Sequence, residues 1–194
     1  MNVLSKPAER TKSGRTAGWL LLAGLLATTP LPGQTALREY DVKAAFLYNF
    51  VTFTEWPAGA FSQTDSPFVI GILGEDPFGS ILDQIVHGEQ VRKRALVVRR
   101  FKRVEDARSC QLLFISASEG SRTGAILRRL QGCPVLTVGD IPGFAERGGA
   151  IGFVTGASVR LDINPLAVRN SGLVISSKIL RLARLVETPS GGTP

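Results

Sequence analysis

Histidine and cysteine are scarce in this chain of 194 residues, which contains one histidine, His87, and two cysteines, Cys110 and Cys133. A zinc site needs three or four ligands of these and the acidic types in a recognisable spacing, and no such set is present. An α/β-hydrolase needs its histidine after the serine and the acid, whereas His87 precedes the elbow-like turn Ser116–Gly120. We therefore expect no enzyme activity, no metal and no cofactor.

Long apolar runs are also scarce. Residues 17–27 form an apolar run of eleven residues that follows a basic segment and precedes prolines. A run this short is typical of a secretory signal peptide and does not span a bilayer comfortably. We predict a signal peptide over residues 1–33, cut after Gly33 or Ala36, with a retained N-terminal anchor as the alternative. No second long apolar run follows, so no membrane span is expected after cleavage.

Part of the excess of basic residues belongs to this predicted leader. The formal charge of the chain is +7, and residues 1–33 carry four basic residues and one acidic residue, so +4 remains after cleavage. About 160 residues are left, enough for one domain with a real core. Eight basic residues cluster between Arg92 and Arg108. Export removes nucleic acid as a partner, which leaves a solvated sheet edge or a surface for an anionic partner.

The rest of the chain alternates short apolar strands with helices. A helical period runs over Tyr40–Phe53, with apolar residues at Val42, Ala45, Phe46, Phe50 and Phe53. Strands are predicted at Phe68–Leu73, Ala95–Arg99, Gln111–Ile115, Val135–Val138, Ala150–Val154 and Val159–Ile163. Further helices are predicted at Pro77–Val86, Ser121–Leu130, Pro165–Gly172 and Ser177–Glu187. This order predicts a single layered α/β domain over residues 34–187, with a mainly parallel sheet, a C-terminal β-hairpin and flanking helices. A disordered tail is expected over residues 188–194.

The predicted hairpin suggests a binding surface. A two-residue turn at Gly156-Ala157 would pair Phe153 with Arg160 and Ile151 with Asp162. Alternation then gives a core face made of Ala150, Gly152, Val154, Val159, Leu161 and Ile163. The opposite face mixes large apolar residues with charges, as partner surfaces do. We predict partner binding by Ile151, Phe153, Arg160 and Asp162; the alternative is that a helix covers Ile151 and Phe153 as ordinary core.

The two cysteines lie just before neighbouring predicted strands with one helix between them. A right-handed crossover would place both at the same edge of the sheet, about 5 Å apart. An oxidising compartment favours a disulfide between Cys110 and Cys133. The alternative is two buried free thiols.

Two turns offer a weaker signal for a small ligand. Gly74–Gly79 and Ser116–Ser121 each follow a predicted strand, so both would lie near the crevice beyond the strand ends. Neither has the spacing of a nucleotide-binding loop. A tight turn explains the glycines and helix capping explains the serines.

Together the motifs resemble those of the YfiR family, in order and over most of Tyr40–Val186. The segments that carry the resemblance are Lys43–Phe50 continuing to Phe53–Pro57, Gly74–Gly79, Leu112–Ser116, Leu136–Asp140, Gly143–Ala145 with Gly148-Gly149, Arg160–Asn164 and Gly172–Lys178.

The resemblance implies an α/β periplasmic regulator without catalytic activity. Such a protein binds the periplasmic sensor domain of a membrane diguanylate cyclase and represses it, which lowers cyclic di-GMP signalling and biofilm formation. The resemblance also implies a homodimer. Relatives often carry more cysteines, which form a redox-relevant disulfide, so their cysteine pairing does not transfer to Cys110 and Cys133. The alternative function is a periplasmic module that binds a small ligand and serves another membrane sensor or a transport system.

Overall fold

The computed structural model describes residues 32–156 and 158–187, which form ten strands and five α-helices. The strands are β1 (Thr54–Glu55), β2 (Phe68–Leu73), β3 (Gln90–Val91), β4 (Arg94–Phe101), β5 (Leu112–Ile115), β6 (Leu136–Gly139), β7 (Ile151–Val154), β8 (Arg160–Ile163), β9 (Val174–Ile175) and β10 (Ala183–Leu185). The helices are α1 (Pro32–Thr52), α2 (Ser80–Val86), α3 (Thr123–Arg129), α4 (Pro165–Asn170) and α5 (Ser177–Leu180). Short 3₁₀ turns lie at Ala58–Ala60 and Ala117–Arg122.

The main sheet has eight strands in the order β10-β8-β7-β6-β5-β2-β4-β3. Its centre, from β4 through β2, β5 and β6 to β7, is parallel, and β10 is parallel to β8. The pair β7–β8 is antiparallel, as is the short edge pair β3–β4. Strands β1 and β9 form a separate antiparallel pair. The predicted α/β class, the mainly parallel sheet and the antiparallel strand pair near the C-terminus are confirmed.

Both faces of the sheet are covered, as the continuous apolar strands require. Alternate residues of β2 point to opposite sides, so Ile70 and Ile72 join the larger core while Val69 and Leu73 join the smaller one. The larger core packs against α1, α2 and the C-terminal helices. The smaller core packs against α3. Every residue of β2 is buried, which explains why its bounds match the prediction.

Helix α1 begins at Pro32, eight residues before the predicted start, and its buried stripe differs from the expected one. Val42 is 45% exposed, whereas Ala44, Leu47 and Phe50 are fully buried. These three residues recur at intervals of three, which also fits one face of a helix. The face therefore rotates so that Lys43, with only 1% of its surface exposed, turns towards the sheet.

The predicted helix Ser177–Glu187 is wrong in its second half. Only the single turn of α5 is helical, and the chain then extends into β10, which pairs in parallel with β8. Leu182, Leu185 and Val186 fit a helical period, but the open edge of β8 offers a backbone ladder that this segment completes. The predicted tail over 188–194 lies outside the described residues, and so does the predicted signal peptide except for its last two positions.

Candidate functional site: an exposed face at the C-terminal edge of the sheet

Three of the four residues predicted to bind a partner are buried: Asp162 is 7% exposed, and Ile151 and Phe153 lie in the core. Ile151 is 0% exposed and Phe153 is 3% exposed. The ring of Phe153 packs on Phe46 and Phe50 of α1, with centroids 6.1 and 6.0 Å apart. The alternative considered for the hairpin, burial of both residues beneath a helix, is therefore the arrangement found. Their predicted exposure is wrong.

The physical reason is the register of the hairpin. In the structure Phe153 pairs with Leu161, and Ile151 pairs with Ile163, one residue away from the predicted register. The connection is longer than the assumed two-residue turn, whose second residue, Ala157, lies outside the described residues. Because side chains alternate along a strand, a shift of one residue places Leu161 beside Phe153 beneath α1.

Arg160 and Asp162 do share the other face of this strand pair, but with different companions. Asp162 pairs across the ladder with Gly152 on one side and Arg184 on the other. A groove of about 500 Å³ lies here. We call the lining of this groove the Arg160 face. It consists of Val154, Arg160, Asp162, Leu182 and Arg184.

Charge on the Arg160 face is partly neutralised. The buried carboxylate of Asp162 accepts hydrogen bonds from Nε and Nη2 of Arg184, at 2.9 and 2.5 Å. Arg184 also contacts Glu146 at 3.1 Å, and these partners raise its pKa, Asp162 most of all. Arg160 is exposed and has no ion pair with any described residue. The face thus presents one free cation beside Leu182, a leucine that is 64% exposed.

A second feature, which the sequence did not predict, is a buried charge cluster where α1 crosses the carboxyl ends of β6 and β7. The ammonium of Lys43 lies 2.5 Å from Glu39 and 3.2 Å from Asp140. The hydroxyl of Tyr40 donates to Asp140 at 2.7 Å, and Thr155 donates to Glu39 at 2.8 Å. The only sequence signal was a lysine within the buried half of an amphipathic helix.

The cluster ties α1 to the segments that follow β6 and β7. Burial and the bond to Asp140 raise the pKa of Tyr40, so its hydroxyl remains a proton donor. Burial raises the pKa of Glu39, but hydrogen bonds from Lys43 and Thr155 outweigh it and leave that pKa below its ordinary value. One carboxylate oxygen of Asp140 is buried without a hydrogen-bond partner among the described residues. Lys43 is therefore the essential counter-charge for Asp140.

The two turns considered for a small ligand do meet beyond the strand ends. The backbone N–H of Glu75 donates to Oγ of Ser118 at 3.0 Å, and Oγ of Ser116 accepts from the N–H of Ser118. Gly74 has φ +92°, and a Cβ there would lie 2.4 Å from Oγ of Ser118. Both serine hydroxyls thus hold the backbone of these turns. The prediction that Ser118 or Ser121 caps a helix is wrong, because Ser116 caps the 3₁₀ turn and Ser118 accepts from the other loop.

The only histidine follows the end of α2. His87 is exposed there and is the C-cap residue of the helix.

Both cysteines are free thiols in the structure, and they lie on the segments that enter β5 and β6. Cys110 is buried and donates to the carbonyl of Ala107 at 2.9 Å. Burial raises the pKa of its thiol to about 12. Cys133 is partly exposed and accepts a hydrogen bond from Arg108 at 3.4 Å. The disulfide between Cys110 and Cys133 stays a prediction.

Two kinds of feature are absent from the described residues. Within residues 32–156 and 158–187, no helix is both long and apolar enough to cross a membrane. Across the same ranges, histidine, cysteine and acidic side chains nowhere gather in threes in a way that would hold a metal ion.

Comparison with known proteins identifies the family. A search of the curated proteins finds no match. The model of the YfiR/HmsC-like family matches residues 40–184, from Tyr40 of the buried charge cluster to Arg184 of the Arg160 face. YfiR-like proteins form a periplasmic family that is regulatory and not catalytic. Because the match covers most of the chain, this protein belongs to the YfiR/HmsC-like family.

Proposed function

We propose that this protein is a periplasmic repressor that binds the periplasmic sensor domain of an inner-membrane diguanylate cyclase. Holding the cyclase inactive lowers cyclic di-GMP production and biofilm formation. The observation that carries the proposal is the family match over residues 40–184, which includes seven strands of the main sheet and all but the last residue of β10. Export through the leader predicted over residues 1–33 would bring the protein to the compartment of that sensor domain.

The Arg160 face is the surface we assign to this partner. It combines an exposed leucine with an arginine that has no ion pair in the described part of the chain, and arginine is enriched at interfaces and among the residues that contribute most to binding. Arg184, fixed by Asp162 and Glu146, gives the groove a firm wall. A complementary sensor surface would carry an acidic side chain for Arg160 and an apolar pocket for Leu182.

Repression then follows from differential affinity. A regulator that binds the inactive cyclase more tightly than the active cyclase shifts the population towards the inactive state. Moving the ratio from about 1:99 to about 99:1 requires a preference of about 10⁴-fold, or about 5.5 kcal/mol. A protein interface of ordinary size supplies such a difference when one cyclase state lacks the complementary surface.

Reconstitution tests the proposal. Membranes that contain a diguanylate cyclase with a periplasmic sensor domain, taken from the same organism, would be mixed with the purified protein, and cyclic di-GMP would be measured over time. We expect production to fall, and we expect Arg160→Glu to weaken binding at least tenfold because it reverses the free charge. Arg169→Glu is the matched control, since Arg169 is an exposed arginine on α4 outside the groove.

Unchanged cyclic di-GMP output with the wild-type protein would refute repression. Full repression by a folded Arg160→Glu variant would instead support repression and refute the assignment of the Arg160 face as the binding surface.

Two further features belong to the same proposal. We propose that the protein acts as a homodimer, which light scattering of the purified protein would test. We also propose that Cys110 and Cys133 form a disulfide in the oxidising periplasm, since they enter adjacent strands and Cys133 is partly exposed. Equal thiol counts in the unfolded protein with and without reductant would rule the bond out.

A further inference from the structure

A second cavity lies beside strands β2, β4 and β5, whereas the Arg160 face lies beside β8 and β10 at the other end of the strand order. The chain places β4 on one side of β2 and then returns to place β5 on the other side. All three strands are parallel, so their carboxyl ends meet at one edge. In open α/β sheets, ligands bind beyond the carboxyl ends of the strands, at the point where the direction of strand addition reverses.

The cavity at this point has a volume of about 470 Å³. That size lies within the range of about 300–1,000 Å³ that small-molecule sites occupy. Its walls come from the segments that follow β4 and β5 and from α3. We call it the basic pocket, because its charged lining consists of Lys102, Arg103, Arg122, Arg129, Glu105 and Glu119.

The four cations of the basic pocket exceed its two carboxylates. The buried carboxylate of Glu119 contacts Arg122 at 2.5 Å, so that pair is neutral. Glu105 is shared between Arg129 and Arg103, the latter at 3.6 Å. Lys102 is exposed and forms no ion pair with any described residue. Two positive charges are thus left for a ligand.

The floor of the pocket is apolar. Leu73, Val104 and Ile126 line it, and each is less than 10% exposed because it belongs to the smaller core. A ligand that fits must therefore be charged at one end and apolar at the other. Arginine groups bind phosphate oxygens through paired N–H donors, and a dianion matches two uncompensated cations.

We propose that the basic pocket binds a small organic phosphate monoester, with its phosphate near Lys102 and Arg103 and its apolar body on Val104 and Ile126. This inference does not depend on repression of a cyclase. It assigns a ligand class to the sheet crevice and leaves the Arg160 face free for a protein partner.

Isothermal titration calorimetry of the purified full-length protein tests this site, with phenyl phosphate as the probe. Inorganic phosphate supplies only the charge, and phenol supplies only the apolar ring. We expect saturable binding of phenyl phosphate, at least tenfold tighter than that of either fragment. The double variant Lys102→Gln/Arg103→Gln should weaken it at least tenfold, whereas Arg169→Gln, outside the pocket, should leave it unchanged.

A second variant tests whether the ligand occupies the volume of the basic pocket, without changing its charge. Ala125 lines the pocket and is exposed, so Ala125→Met fills the cavity without burying a clash in the core. We expect this variant to keep its thermal stability and to show no binding of phenyl phosphate. No saturable binding to the wild-type protein, equal binding of either fragment, or undiminished binding in both pocket variants would each overturn the proposal.

Discussion

Replacing Lys43 with methionine tests how strongly the buried charge cluster holds α1 on the sheet. Methionine keeps most of the aliphatic stem and removes the charge. Lys43 is 1% exposed, and the side chain of its partner Asp140 is 4% exposed, so water does not take over the lost contact. At 3.2 Å and an effective dielectric constant of about 20, the Lys43–Asp140 attraction is about 5 kcal/mol.

The net loss of stability is smaller than this attraction, because replacing the buried ammonium also removes the free-energy cost of desolvating it. Removing one partner of a buried pair typically costs about 3–5 kcal/mol, and we expect a loss in that range. Asp140 already has one oxygen without a partner, and after the substitution only the hydroxyl of Tyr40 would serve the other. With a urea m-value of about 2 kcal/mol/M, the midpoint should fall by about 1.5–2.5 M.

Urea unfolding followed by tryptophan fluorescence measures this change, since Trp56 is buried in the domain. Lys93→Met is the control, because Lys93 is exposed. Adding Asp140→Asn to Lys43→Met should restore about 1–3 kcal/mol, since it removes the stranded charge. A loss below about 1 kcal/mol in Lys43→Met, or strict additivity in the double variant, would refute the role assigned to the cluster.

The same variant should respond differently to acid. The pKa of Glu39 is lowered in the folded protein, so its contribution to stability is present above its ordinary value of 4.5 and is lost as the pH falls through the folded value. Without Lys43 much of that contribution is absent. We therefore expect the stability gap between wild type and Lys43→Met to narrow below about pH 4.5.

Two further predictions concern the cysteines and a glycine turn. In the native, reduced protein only Cys133 should react quickly with a thiol reagent near neutral pH, because burial raises the pKa of Cys110 to about 12; two fast thiols would contradict this. Gly79→Ala, at φ +55° and ψ −128° in open space, should cost about 1–3 kcal/mol from its backbone alone, and Gly74→Ala should cost at least about 1 kcal/mol more, since its φ is also positive and its new Cβ would meet Ser118. Equal losses of stability in the two alanine variants would show that the contact with Ser118 does not matter.

The strands of the sheet centre were predictable because burial on both faces leaves a clear signal. Phe68–Leu73 is an unbroken apolar run of six residues, and the structure gives the same bounds. Its neighbours were placed to within a few residues for the same reason. The faces of the hairpin were not predictable, because they depend on the length of a turn that the glycine at 156 does not fix.

The C-terminal end shows a different limit. Ile179, Leu182 and Leu185 suit a helix by their spacing, and nothing local opposes one. Strand β10 forms because β8 needs a neighbour, a requirement that arises only once the sheet exists. The partner Arg184 for Asp162 was missed for the same reason, since the two residues lie 22 positions apart in sequence.

The position of β10 also has a consequence for the order in which the molecule is completed. This strand has three residues and, within the described part of the chain, pairs with β8 alone and is the last strand. Synthesis runs from the N-terminus, so the sheet from β2 to β8 exists before Leu182 and Arg184 arrive. The Arg160 face is thus the last surface to be finished, and it is the one most easily lost by fraying or by trimming from the C-terminus. A nascent or clipped copy would have a nearly complete sheet and no groove.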